Sequence, residues 1–281
     1  MSGLKLWIMD KLKPWTEAQR LPHDMKNKDK VMAKLADIQK KGYVEAGQVE
    51  SLISFFDVDK AKDHIRMVYG RSKSGLNGAL WAPWFPLPTV ETILCSVTGG
   101  TWLGDNDAGK MFLNFMIHEE VRRLCGVDFT LYFPEELPED HQVLWARWSR
   151  CAMGLRTSPY HVVQGMLWAQ EIILGDRLSE MNVFRWERTI KLNLPGSEDY
   201  SNLEPCVCKV RMNGILASDI NIYVNNSRTT ACSEAECWKA SQRVSSVLGY
   251  LGLQDAARKR RRPGQVGQRG PGPWSILCTV R

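Results

Sequence analysis

Apolar residues recur at helical spacing in "KNKDKVMAKLADIQKK", residues 26–41, where Val31, Leu35 and Ile38 alternate with lysine and aspartate. Positions three and four apart share a face, so this stretch predicts an amphipathic helix ending near Gly42. The period then changes. "VESLISFFDVD" and "IRMVY" flank the polar "DVDKAKDH", and two such runs around a lysine-bearing turn predict a hairpin. "WAPWFPLPTVETILCSV" is punctuated by proline, which sets an extended approach, and turns helical from about Thr89. "TGGTWLGDNDAGKMFLNFMI" leads from a glycine turn into a strand, then a strand or helix.

Farther on, "YHVVQGMLWAQEIILG" (160–175) carries apolar residues on most faces and predicts a buried helix. "CVCKVRMNGILASDINIYVNNSRTTA" predicts paired strands turning at Asn213-Gly214 and Asn225-Asn226. Ser233 stands three residues before Glu236, a capping-box signature, and its helix should end near Gly252. "RRRPGQVGQRGPGP" predicts a loop and "WSILCTV" a last short strand. Helices interleaved with antiparallel strands give an α+β plan, with helices on one face of an antiparallel sheet.

Composition narrows the class. The chain has 281 residues, 44% hydrophobic and 24% charged, and suits a globular protein with a sizeable core. No run of 18 apolar residues occurs, so no membrane partner is expected. The first residues are too polar after Met9 for a signal peptide. Eight scattered cysteines do not make a disulfide framework, which implies a reducing, intracellular compartment without separating cytoplasm from nucleus. Much of the net charge of +6 sits in "RKRRR", Arg258, Lys259, Arg260, Arg261 and Arg262. That run reads equally as a solvated charge run, a localisation signal or a nucleic-acid contact.

Six segments stand in order along the chain: "KLADIQKKGYVEAGQVESLISFFDVDKAKDHIRMVYGRSKSGLN", "FPLPTVETILCSVTGGTWLGDNDAGKMFLNF", "MGLRTSPYHVVQGM", "IYVNNSR", "YLGLQDAARKRR" and "GPWSILCTV". Together they resemble the fingers and palm of a reverse transcriptase, an RNA-directed DNA polymerase of retroelements. The resemblance covers roughly residues 28–281. It implies an extension at 1–27, fingers at 28–100, a palm at 101–257 and a basic loop with a last strand at 258–281. It also implies a right-hand polymerase without its thumb, and an insertion in the palm near 176–206. Gly70 stands where the family has an aspartate, and "YVNN" stands where it has "YVDD".

The resemblance assigns chemistry residue by residue. Nucleotidyl transfer uses two Mg²⁺ ions roughly 3.5–4 Å apart, held by hard oxygen ligands. Asp107 matches the first catalytic aspartate, with the Ala108 carbonyl as a further metal ligand, and Asp105 is a weaker candidate. Asn225 and Asn226 fall on the other two catalytic positions. Arg66 and Lys73, with Lys60 and Lys62 as helpers, match groups that grip a deoxynucleoside triphosphate. Gly109 lies beside Ala108, Phe112 matches the ring that excludes a 2′-hydroxyl, and Gly154, with Ser158 and Pro159, matches the positioning turn. The partners implied are an RNA template or RNA–DNA hybrid and deoxynucleoside triphosphates.

Asparagine keeps the shape of aspartate and suits hairpin positions with positive φ, but brings no charge. A missing unit charge at ~4 Å is worth about 4 kcal/mol at an effective dielectric of ~20. Synthesis is therefore expected to be impaired or absent, with a weakened Mg²⁺ site that Mn²⁺ could still enter. Two further readings stand beside this one. The first is a non-catalytic nucleic-acid-binding relic. The second is a zinc protein using Cys206, Cys208, Cys232 and Cys237, whose spacings are not the usual metal-ligand pairs.

Overall fold

The computed structural model describes residues 3–60, 63–70, 72–88, 97, 101–137, 139, 142–191, 198, 207–253 and 263–265. The chain divides into two compact units, one of residues 1–84 and 112–162, the other of 85–111 and 163–281. In chain order the described elements are α1 (Lys28–Lys40), β1 (Val44–Glu45), β2 (Ser54–Lys60), β3 (His64–Gly70), α2 (Leu76–Ala79) and β4 (Trp102–Asp107). Then come α3 (Glu119–Arg122), β5 (Gly126–Asp128), β6 (Trp145–Trp148), α4 (Ser158–Leu174), β7 (Arg188–Lys191) and β8 (Val207–Val210). The last are β9 (Asp219–Tyr223), β10 (Asn226–Ala231), α5 (Glu234–Tyr250) and β11 (Gly264–Gln265).

The first unit holds the β2–β3 hairpin and a three-stranded sheet in the order β1-β6-β5. Its core gathers Val31, Leu35 and Ile38 of α1 with Phe55, Ile65, Tyr132 and Trp148. Those three helix positions are the apolar stripe of the sequence pattern, and burying it is what holds a short helix in place. The N-terminal segment is built into this unit. Leu4 bridges Ile117 and Ile8 bridges Leu80. Gln19 acts as a strand residue by side chain: its Nε2 donates to the Phe55 carbonyl (2.8 Å) and its Oε1 accepts from Phe55 N–H (3.0 Å). Both backbone groups of Phe55 are thus satisfied at the hairpin's edge.

The second unit is built on a four-stranded antiparallel sheet in the order β11-β4-β10-β9. Helix α5 covers one face. Its buried Cys237, Ala240, Ser241, Val244 and Leu248 recur at helical spacing, and Ser233 caps it by accepting from Glu236 N–H. Gly104 of β4 lies beneath: a Cβ there would meet Ser241 Oγ at 2.4 Å and Thr229 Oγ1 at 2.8 Å. Glycine is what lets helix and strand approach.

Several expectations are corrected. Helix α4 is buried on one side only, through Val162, Val163, Met166, Ala169 and Ile173; Gln164, Leu167 and Trp168 are exposed. Apolar content overstated its burial, because exposed apolar residues are common at protein surfaces. Gly264 and Gln265, expected in a loop, pair with Leu103 and Trp102 at the edge of β4. Strand β7 falls in the segment expected as an insertion near 176–206 and pairs with β8, which follows that segment. The helix expected from Thr89 and the strand "WSILCTV" lie outside the described residues, apart from Val97. Among the described residues, no helix is long and apolar enough to cross a membrane.

Candidate functional site

Strands alternate their side chains, so Asp105 and Asp107 of β4 share a face, as do Asn226 and Arg228 of β10. The antiparallel register sets Asn226 opposite Asp107 and Arg228 opposite Asp105. Asn106, on the other face, donates to the Ser241 carbonyl and to Ser245 Oγ in α5. The Asp–Asn face is therefore the one α5 leaves uncovered.

The hairpin joining β9 to β10 brings Asn225 to Asp107, 118 residues away in the chain. Ala108 N–H donates to the Asn225 carbonyl (2.8 Å), extending the ladder past Asp107. The Asn225 Nδ2 donates to Asp107 Oδ1 (2.6 Å) and to the Ala108 carbonyl (3.3 Å). Asn225 Oδ1 in turn accepts from Asn226 Nδ2 (3.3 Å). The directions are mutually consistent: an ionised carboxylate only accepts, so the amide must present its NH₂.

Register also corrects the turn. Tyr223 pairs with Asn226, leaving Val224 and Asn225 as the loop. The positive φ, +55°, falls on Val224 and not on either asparagine. A β-branched residue is strained there, by about 1–3 kcal/mol.

Asp105 is engaged elsewhere. Arg228 grips it with two donors, Nε at 2.8 Å and Nη2 at 2.9 Å, and Arg228 is only 3% exposed. Sequence reasoning passed over Arg228. The signal was available in the alternation of Asp-x-Asp on one strand and Asn-x-Arg on its partner.

These residues can be tested against a pair of hard divalent cations. Asp107 supplies one carboxylate and Ala108 one carbonyl, but an N–H donor points at both, and Asp105 is neutralised by arginine. Two Mg²⁺ ions need several converging anionic oxygens. The donor set does not fit them. Among the described residues, no group of three or more His, Cys, Asp or Glu is placed to hold a metal. For the thiols, Cys232 is exposed, Cys208 and Cys237 are buried, and Cys206 lies outside the described residues. Burial pushes the Cys237 thiol up to about 11, unlike a thiolate ready for zinc.

Arg66, Lys73, Lys60, Phe112, Gly154 and Gly70 belong to the first unit. Arg66 is exposed on β3 and pairs in register with Val58, and Lys73 is exposed beyond that strand. Lys60 is exposed at the end of β2. Phe112 is half-buried in the short 3₁₀ helix Met111–Asn114. Gly154 has φ +94°, and a Cβ there would meet the Tyr69 carbonyl at 2.8 Å, so only glycine fits. Its carbonyl accepts from Asn77 Nδ2. Gly70 closes β3, where a Cβ would press on Ser54 Oγ at 3.1 Å. Gly109 follows Ala108 in the second unit. Lys62 and Arg258, Lys259, Arg260, Arg261 and Arg262 lie outside the described residues.

No family model matches the chain, and no curated protein is similar to it in sequence. Solved structures are. The prototype foamy virus protease–reverse transcriptase superposes with a TM-score of 0.61 at 15% identity, over 90% of this chain and 26% of that one. This fold is reverse-transcriptase-like. The foamy viral enzyme in complex with RNA/DNA hybrid gives 0.60 at 14% identity, over 91% of this chain and 27% of that one. The complex with dsDNA gives 0.60 at 15%, over 93% and 43%. The chain thus spans about a quarter to under half of the length of these reverse transcriptases.

Proposed function

We propose that the chain is a nucleic-acid-binding domain descended from a retroelement reverse transcriptase, whose site for template-directed nucleotidyl transfer is degenerate. In this reading residues 28–100 stand as fingers and 101–257 as palm, after an extension at 1–27, with the basic loop and last strand at 258–281. The partners are an RNA template or RNA–DNA hybrid. The complex of the foamy viral enzyme with RNA/DNA hybrid supports that choice, and its complex with dsDNA supports a nucleic-acid partner more generally. Mg²⁺, or Mn²⁺ in its place, would find at most a weakened site at Asp107 and the Ala108 carbonyl, because an amide N–H already donates to both.

The observation that carries the reading is the Asn225 amide donating at 2.6 Å to Asp107. Where a polymerase would place a second carboxylate facing a shared cation, this chain places a donor that satisfies the first. The pocket keeps its hairpin and loses its countercharge.

Primer extension on an RNA template with Mg²⁺ and with Mn²⁺ tests the claim, alongside binding of an RNA–DNA hybrid at rising salt. Expected are hybrid binding that weakens steeply with salt, because phosphate contacts release counterions, and no extension. Robust extension by the natural chain would overturn it. A working enzyme is the second reading, favoured by the retained Asp107 opposite Asn226. Extension appearing only in Asn225→Asp/Asn226→Asp would show that the two amides alone silence an otherwise intact site.

A further inference from the structure

In the first unit an aromatic cluster stands at the surface. Trp7 and Trp81 are cross-strand neighbours: Ile8 bridges Leu80 in antiparallel sense, and Trp81 N–H donates to the Trp7 carbonyl (2.9 Å). Their rings meet edge-on at 5.5 Å. His161, from the first turn of α4, stacks on Trp7 at 5.5 Å and 20°, and Tyr160 meets it at 6.2 Å. The cluster is organised but not covered. Trp7 is 41% exposed and Trp81 48%, and Trp84, three residues farther along the chain, 84%. Apolar rings held in fixed mutual geometry and left in water suit a planar partner.

Charge around the cluster is mostly of one sign. Lys5 and Met9, two residues on either side of Trp7, are exposed. Exposed Arg156 is tied to Asn77 by its backbone N–H and its guanidinium. Asn77 lies in α2, whose last residue, Ala79, accepts from Met9 N–H. Lys11 and Lys13 continue the segment, against the single acid Asp10. Aromatic faces with flanking cations match one chemistry, the unpaired nucleotide: bases stack on rings and phosphates meet lysine and arginine.

We propose that Trp7, Trp81 and His161 form a stacking platform for unpaired nucleotides adjoining a duplex held by the domain. This rests on the nucleic-acid-binding reading and adds a subsite to it. Burial lowers the pKa of His161, so the imidazole is neutral at pH 7 and stacks as a flat ring.

The test compares an RNA–DNA hybrid that is blunt with the same hybrid carrying a short single-stranded extension of RNA or of DNA. Fluorescence anisotropy on the full chain reads the affinity. Stacking of one or two bases should tighten binding of the extended hybrid about tenfold over the blunt one. Trp7→Ala and Trp81→Ala should each lose most of that difference, leaving blunt-hybrid affinity and the circular dichroism spectrum unchanged. Trp7→Phe, which keeps a ring, should retain it. Equal affinity of the natural chain for both hybrids would overturn the platform alone, and the cluster would then be a protein-docking surface. So would variants that fold and keep the full preference. Binding of neither hybrid would overturn the platform and the domain's nucleic-acid reading together.

Discussion

Replacing Asn225 by aspartate converts a donor 2.6 Å from Asp107 Oδ1 into a second carboxylate. Two terms follow. The amide's hydrogen bond to a charged acceptor, worth about 1.5–3 kcal/mol, is lost. Like charges about 4 Å apart then repel by ~4 kcal/mol at an effective dielectric of ~20. The pair can escape by sharing a proton, which at pH 7 costs about 4 kcal/mol against an ordinary aspartate. Both residues are half-exposed, so water softens all three terms. The expected net loss is about 2–4 kcal/mol, or roughly 5–15 °C in Tm.

The pH dependence has a definite sign. A shared proton raises the folded-state pKa of the pair above its unfolded value. The variant's deficit should therefore vanish below about pH 4 and grow as pH rises through the raised value. A dication that binds the paired carboxylates stabilises the folded state alone. Millimolar Mg²⁺ should thus recover much of the Tm of Asn225→Asp and move the natural chain little. The assay is thermal unfolding at pH 4 and pH 7, with and without Mg²⁺. An Asn225→Asp chain as stable as the natural one at pH 7 without metal would refute the claim that this amide satisfies Asp107.

Three further outcomes are expected. Arg228→Leu leaves Asp105 without its partner and should cost about 2–4 kcal/mol in chemical denaturation, below the fully buried range because the Asp105 side chain is 36% exposed. The double variant Asp105→Leu/Arg228→Leu should recover most of that, and equal losses would argue against the pair. Val224→Gly removes strain at φ +55° and should leave stability unchanged or raised by up to about 1 kcal/mol; a clear loss would mean the turn is relaxed with valine. His161, whose pKa burial lowers, must gain a proton on unfolding in mild acid. Stability of the natural chain should fall as pH drops below about 6.5, and more than that of His161→Phe. Parallel pH profiles would refute that.

Local pattern was sufficient wherever a period or a spacing encodes the element. The stripe Val31-Leu35-Ile38 specified α1 and its buried face. The two β-prone runs gave the β2–β3 hairpin, and Ser233 with Glu236 gave the start of α5. The resemblance to a family, rather than local pattern, marked Asp107 and the Asn-Asn turn as candidates. What local pattern could not carry is pairing over long separations. The ladder of β4 against β10 joins residues more than a hundred positions apart, and only that ladder decides what each polar group faces.

Tertiary structure therefore made the decisive choices. Register put the positive φ on Val224, turned the Asn225 amide toward Asp107 and set Arg228 against Asp105. It brought Gly264 and Gln265 to the sheet edge. It also let Gln19 close the hydrogen bonds of Phe55 from 36 residues away. A sequence specifies which residues can be buried or turned, because those preferences belong to single side chains and their near neighbours. Which donor meets which acceptor belongs to the folded chain, because a buried polar group takes whatever partner the packing delivers.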